Sequence, residues 1–241
     1  MTQGPAGPWS ALLHPLSWAY GPLSARQIRR KQQRAVRVNV PVISVGNLAV
    51  GGAGKSPFVR LLVGWLQEAG HQPAIAMRGY GSANPNEADE VREHRLTCPD
   101  VPVLAGPDRV FEIQKAQREG VPFDCVVLDD GFQHTQLARD LDVVLIDGTR
   151  PPVQTTTLPA GWLREPAIGL QRADAWVISG SMGEDDQAAT AQLAGQPALA
   201  EVRAVWQGVH TVQGEEVSVQ GKRCVVTVSY THLTLPTRIF V

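Results

Sequence analysis

A lysine and a serine that close a run of glycines form a pattern suited to holding phosphate. Residues 49–56 read Ala-Val-Gly-Gly-Ala-Gly-Lys-Ser. Gly51, Gly52 and Gly54 can take left-handed backbone angles and let bare N–H groups close on phosphate oxygens. Lys55 is spaced to reach the β/γ-phosphates, and the Ser56 hydroxyl to ligate Mg²⁺. Ala49 stands where the strict G-x-x-x-x-G-K-[ST] pattern has its first Gly. The candidate ATP-binding residues are therefore Ala49, Val50, Gly51, Gly52, Ala53, Gly54, Lys55 and Ser56. A second chemical stretch runs Phe123-Asp124-Cys125-Val126-Val127-Leu128-Asp129-Asp130-Gly131, an apolar strand that ends in two carboxylates. A phosphate-loop enzyme needs an acid at such a strand end to hold Mg²⁺, directly or through water. Asp129 is assigned that role, with Asp130 beside it. The Asp-Asp-Gly stretch alone is also a common turn, whereas the glycine loop, flanked by strand and helix, is not, and the two in one sheet support each other.

The elements that must position these residues follow from the pattern. Val42-Ile43-Ser44-Val45 precedes the loop as a buried strand, and Phe58 to Leu66 follows it as a helix. Strands are expected at 40–45, 73–77, 101–104, 123–128, 141–146 and 175–179, with helices at 57–69, 108–119 and 134–139. This alternation predicts an α/β fold: a P-loop NTPase-like parallel sheet with helices on both faces, and an incomplete, smaller β-rich C-terminal domain. Ligands of such sheets sit beyond the carboxyl ends of the strands, which places the loops after 45, 77, 128 and 146 in one crevice. Four regions are expected: a membrane-associating segment (1–39), the nucleotide-binding domain (40–180), a linker and the start of a second domain (181–228), and a foreign-looking tail (229–241).

The net charge of -1 hides an asymmetry. Eight basic residues, from Arg26 to Arg60, precede the first acid, Glu68, and the remainder is strongly acidic. Residues 9–23 are apolar and aromatic, with Trp9, Trp18 and Tyr20, and are interrupted by Pro15 and Pro22. The stretch falls short of the roughly 20 uninterrupted apolar residues that span a bilayer as a helix. Its basic cluster follows the apolar run instead of preceding it, which argues against a signal peptide. Trp and Tyr beside an Arg cluster suit an anionic membrane surface. A packed helix with a solvated Arg face is the plainer reading. Nucleic acid is not expected as a partner, since no binding motif accompanies the charges. Cys98, Cys125 and Cys224 have no metal or redox spacing, which fits a reducing compartment.

Five stretches together resemble one family. They are Val45-Gly46-Asn47-Leu48, Gly51-Gly52-Ala53-Gly54-Lys55-Ser56-Pro57, Arg78-Gly79-Tyr80-Gly81, Leu128-Asp129-Asp130-Gly131-Phe132-Gln133-His134 and Leu158-Pro159-Ala160-Gly161-Trp162-Leu163-Arg164-Glu165-Pro166. In kind and in order they look like tetraacyldisaccharide 4'-kinase, the lipid A 4'-kinase of Gram-negative envelope and lipopolysaccharide biosynthesis, from about Pro15 to Val228. The resemblance implies ATP-dependent phosphorylation of the 4'-hydroxyl of a tetraacylated glucosamine disaccharide 1-phosphate. It implies ATP and Mg²⁺ as cofactors, a lipid A precursor as partner, and a place on the cytoplasmic face of the inner membrane. It assigns metal and nucleotide to Lys55, Ser56, Asp129, Asp130 and Glu165. The family's catalytic Asp lies in a Gly-Asp-Glu-Pro stretch, for which the match here is Ala88-Asp89-Glu90-Val91. Asp89 and Lys55 are the catalytic candidates by that resemblance. Asp89 and Glu90 read equally well as acids in a solvated loop.

The family pairs that Asp with a C-terminal His. His210 precedes the expected region, and His232 lies in a stretch unlike the family. His14, His71 and His94 are expected at the surface or in packing. Gly221 to Val228 still reads like the family's second-domain strand, whereas residues 229–241 do not, which suggests a shortened frame with a foreign end. Two other readings stay open. One is a membrane-associated P-loop ATPase switch that controls partner binding; such switches carry an extra Lys where Val50 stands. The other is a soluble small-molecule kinase. Oligomeric state is not legible.

Overall fold

The computed structural model describes residues 10–79 and 84–203. Within them seven strands form one sheet: β1 (Val42–Asn47), β2 (Pro73–Met77), β3 (Val103–Ala105), β4 (Cys125–Asp129), β5 (Leu141–Asp147), β6 (Ala175–Ser179) and β7 (Ala200–Val202). Their spatial order is β3-β2-β4-β1-β5-β6-β7, and every pairing is parallel. The helices among the described residues are α1 (Ser10–Gln32), α2 (Lys55–Glu68), α3 (Asp89–Thr97), α4 (Arg109–Arg118) and α5 (Glu184–Ala194), with short 3₁₀ turns between them.

The sheet is covered on both faces, which is why its central strands read as unbroken apolar runs. All five residues of β2 and all five of β4 are buried. Their side chains alternate between two cores. Ile75 and Val127 meet Phe58, Val59 and Val63 of α2 on one face. Ala74, Val126 and Leu128 meet Ile113 of α4 and Leu137 on the other. On this second face a further cluster built on Phe132, Leu170 and Trp176 lies under β5 and β6.

Register then sets the chemistry. Val45 pairs with Asp129, so the loop after β1 and the acids at the end of β4 emerge side by side. Gly46 makes their approach possible. A Cβ there would lie 2.5 Å from the Phe132 Cβ and 2.6 Å from its backbone nitrogen, so any larger residue would push the two strand ends apart.

The six expected strands are all present, displaced by at most two residues, and the helices expected at 57–69 and 108–119 are α2 and α4. Residues 134–139 are not helical. Val36 bridges to Leu137, with Val36 N donating to Gln136 O and Ala138 N to Val36 O, so these backbone groups are used by the chain after α1. One helix was not anticipated. The polar stretch Asp89–Thr97 forms α3, with Asp89 and Glu90 in its first turn and His94 and Arg95 in its last, the arrangement that complements the helix dipole. The N-terminal stretch runs as helix through both Pro15 and Pro22. Tertiary bonds hold both halves: Thr157 Oγ1 donates to Ser17 O and Thr135 Oγ1 to Ile28 O, each at 3.0 Å.

Beyond residue 180, where the sequence marks a linker, α5 leads to β7, which extends the same sheet. The expected second-domain residues from 204 onward, His210, His232 and the tail 229–241 lie outside the described residues, as do residues 1–9 of the N-terminal segment.

Candidate active site

The glycine loop delivers Lys55 and Ser56 as the first residues of α2, which Gly54 caps in the left-handed conformation at φ 75. The Ser56 Oγ donates to Asp129 Oδ2 at 2.8 Å. Lys55 Nζ lies 3.3 Å from Asp130 Oδ1. Arg164 Nη1 donates to both carboxylate oxygens of Asp130, at 3.1 and 2.9 Å. Arg109 is buried and donates to the backbone carbonyls of Asp129 and Asp130. Asp130 itself has φ 54, a left-handed backbone unusual for a residue with a side chain. Such strain persists where its surroundings over-determine it, and here three cations do so. Burial opposes the charge of Asp130, but Lys55, Arg164 and Arg109 outweigh it and hold the carboxyl well below the usual carboxylate range.

The Leu158–Glu165 stretch lies along the first half of the loop. Val50 N donates to Trp162 O and Arg164 N to Leu48 O, both at 2.8 Å, and Ala49 bridges to Leu163. This contact fixes Ala49 and Val50 although neither is glycine. Glu165 is 1% exposed and is gripped by Arg172 at 2.6 and 3.1 Å. Gln133 Nε2 donates to Glu165 Oε1 and to Asn47 O, tying the end of β1 to both motifs. Arg172 in turn stacks over Phe132 at 4.4 Å. Gln133 lies in one of the motif stretches but was given no role there, and Arg172 lies in none of them.

The four expected metal ligands are therefore divided. Ser56 and Asp129 are in contact, Asp130 is turned to Lys55 and Arg164, and Glu165 is held by Arg172 and Gln133. Among the described residues no group of three or more His, Cys, Asp or Glu is arranged to hold a metal. The assembled pair, a hydroxyl and a carboxylate, offers hard oxygen donors. That suits Mg²⁺, which takes one or two protein oxygens and fills its octahedron with phosphate and water.

The acceptor-side candidates lie on α3. Asp89 is exposed at its first position, whereas Glu90 is half-buried. Burial raises the Glu90 carboxyl above its ordinary value, with further contributions from Asp129 and Asp130. Glu90 thus lies in the field of the two acids at the end of β4. One turn further on, His94 is completely buried with Nε2 2.9 Å from Asp129 Oδ2. It is not a surface residue; His71 is, paired with Asp124 at 3.3 Å. The signal that would have found His94 is its i,i+4 spacing from Glu90, which shares one face only if the stretch is helical.

The geometry agrees with three comparisons. The family model for tetraacyldisaccharide-1-P 4'-kinase matches residues 9–232. The tetraacyldisaccharide 4'-kinase of Francisella tularensis subsp. novicida strain U112 is 33% identical over 192 residues, covering 74% of this chain and 60% of the relative. That of Pseudomonas putida strain F1 is 38% identical over 193 residues, covering 72% of this chain and 56% of the relative. The chain thus spans roughly three fifths of the length of the relatives it matches. In fold it is similar to the crystal structure of LpxK from Aquifex aeolicus in complex with ATP, at 24% identity and a TM-score of 0.61 over 86% of each chain.

One pH effect follows from the turn that carries Asp130. His134 is half-buried, and burial, reinforced by the charges of Arg109 and Arg139, pulls its ring down to about 4. The folded value lies below the unfolded one of about 6.5. The neutral ring's contribution is therefore complete above pH 6.5 and is lost as pH falls toward 4, an effect on the order of 2 kcal/mol. Urea denaturation at pH 7 and pH 4.5 should show His134→Gln losing less stability on acidification than the wild type. Equal losses would mean that His134 does not contribute to the acid sensitivity.

Proposed function

Because this chain belongs to the tetraacyldisaccharide-1-P 4'-kinase family, we propose that it transfers the γ-phosphoryl group of ATP to the 4'-hydroxyl of a tetraacylated glucosamine disaccharide 1-phosphate. The observation that carries the reading is the convergence of Lys55 and Ser56 on Asp129 and Asp130 at the ends of adjacent parallel strands. The family match counts against the switch alternative, and Val50 in place of a second loop lysine agrees with that.

Phosphoryl transfer asks for alignment and charge neutralisation more than covalent work. The glycine loop supplies N–H groups and a helix N-terminus for the β- and γ-phosphates. Lys55 now contacts Asp130, and a bound nucleotide would offer it a second anionic partner. Arg164 keeps Asp130 paired when Lys55 turns away. Ser56 and Asp129 would hold Mg²⁺, which when bound neutralises phosphate charge. The first turn of α3 would present the acceptor hydroxyl to a carboxylate. Asp89 is assigned that role by its place in the motif, with Glu90 beside it in the field of Asp129.

A membrane surface completes the reading. Among the described residues no helix is long and apolar enough to cross a membrane. Instead α1 turns its small residues inward: Ser17, Gly21 and Ser24 are buried, and Ser17 Oγ accepts from Ala160 N. The opposite stripe leaves Leu12, Leu16 and Leu23 exposed at 70%, 58% and 65%, and continues with Arg26 and Arg30. Helical spacing puts these five on one face. An apolar stripe that runs into basic residues suits insertion at an anionic bilayer surface, on the cytoplasmic side of the inner membrane.

The catalytic reading is tested with γ-labelled ATP, Mg²⁺ and tetraacyldisaccharide 1-phosphate. A labelled lipid should form with the wild type and not with Lys55→Ala. Hydrolysis of ATP without labelled lipid would favour a switch instead. The membrane reading is tested by flotation with vesicles containing anionic phospholipid. Replacing Leu12, Leu16 and Leu23 together by Ser should weaken binding more than tenfold at any salt, since each buried Leu contributes roughly 1.5–3 kcal/mol. Replacing Arg26 and Arg30 by Gln should instead reduce the salt dependence, because screening acts over about 8 Å at physiological ionic strength. Unchanged binding by the Leu variant would place the anchor elsewhere.

A further inference from the structure

The buried imidazole of His94 has no part in the reading above, yet it touches the oxygen on which the proposed metal site is built. Asp129 Oδ2 accepts from two groups at once: Ser56 Oγ at 2.8 Å and His94 Nε2 at 2.9 Å. An ionised carboxylate only accepts, so the ring nitrogen facing it carries the hydrogen. His94 is 0% exposed, and its other nitrogen, Nδ1, is buried with no partner. With hydrogen on Nε2, Nδ1 is left as a bare acceptor. The ring is therefore committed to one contact.

We propose that His94 is a positioning residue: its Nε2–H fixes the Asp129 carboxylate for Mg²⁺ and, through that bond, clamps α3 to the nucleotide loop. Glu90 and His94 lie one turn apart, on the face of α3 that looks toward Asp129. Val91, also fully buried, fastens the same helix to Met77 and Ala105 at the ends of β2 and β3. The helix that would carry the acceptor-side acids is thus tied to the carboxylate that would order the metal. Groups that orient a metal-binding carboxylate act through geometry, and losing one typically costs about 10- to 100-fold in metal affinity.

The inference rests on the metal–nucleotide part of the proposed function and not on the acceptor. A protein that binds Mg²⁺·ATP but labels no lipid would refute the acceptor and leave this test intact. ATP affinity is measured by calorimetry with Mg²⁺ and with chelator for the wild type, His94→Leu and His94→Gln. His94→Leu should lose at least tenfold in the presence of Mg²⁺ and less than twofold in chelator. His94→Gln, whose amide can donate from near the Nε2 position, should recover most of the loss. Equal losses with and without metal, or Gln behaving as Leu, would reduce His94 to a packing residue and overturn the proposal. If His94→Leu does not fold, ¹⁵N resonances of the wild-type ring decide. Hydrogen on Nε2, with a shift when Mg²⁺·ATP is added, supports the assignment. Hydrogen on Nδ1, or no response to Mg²⁺·ATP, overturns it.

Discussion

The arrangement depends on one contact across two neighbouring strands, the hydrogen bond from Ser56 Oγ to Asp129 Oδ2. It exists because β1 and β4 are adjacent and in register, with Val45 opposite Asp129. Gly46 removes the side chain that would otherwise hold the loop and the acids apart. The central strands are buried on both faces, so their ends have little freedom to drift. A hydroxyl at a helix N-terminus and a carboxylate at a strand end can then be held at hydrogen-bond distance before any ligand arrives. That is preorganisation in its plain sense: the ordering cost falls on folding instead of on binding.

Around this contact the charges are arranged asymmetrically. Asp129 faces a hydroxyl and an imidazole, whereas Asp130 faces Lys55 and Arg164, with Arg109 held at its backbone. Two adjacent acids thus take different tasks, and the left-handed backbone of Asp130 is what turns them apart. The Leu158–Glu165 stretch serves both. Its backbone fixes Ala49 and Val50, its Arg164 pairs with Asp130, and its Glu165 anchors Gln133 and Arg172 behind the loop. This also explains how the loop keeps its shape without the first glycine of the strict pattern, since strand-like pairing holds that position. The same stretch receives α1, through Ala160 N to Ser17 Oγ and Tyr20 OH to Arg164 O, so the basic helix and the nucleotide loop share one support.

The strands and the phosphate loop were legible because their signals are local: apolar runs bounded by Gly or Asp, and a lysine at fixed spacing from glycines. The acid pair at the end of β4 was legible for the same reason. What escaped depended on long-range pairing. Residues 134–139 have a helix-compatible composition, yet their backbone bonds go to Val36, about a hundred residues earlier. Helix α3 is nine residues long and mostly polar, and only Val91 and His94 of it are buried, too little for a periodic signal. His94 therefore read as an isolated histidine. Glu165 was found as a motif residue, but its partner Arg172 sits on a 3₁₀ turn that no pattern announces.

The central claim is that Asp129 acts on the nucleotide through the metal. The most direct measurement is the affinity for ATP of Asp129→Asn and of the wild type, each with Mg²⁺ and with chelator. Asn keeps the shape and removes the charge, so binding with Mg²⁺ should weaken by at least about tenfold, while binding in chelator should change by less than twofold. A variant that loses affinity equally in both conditions would contradict the account, and Asp129 would then be a structural acid at a strand end.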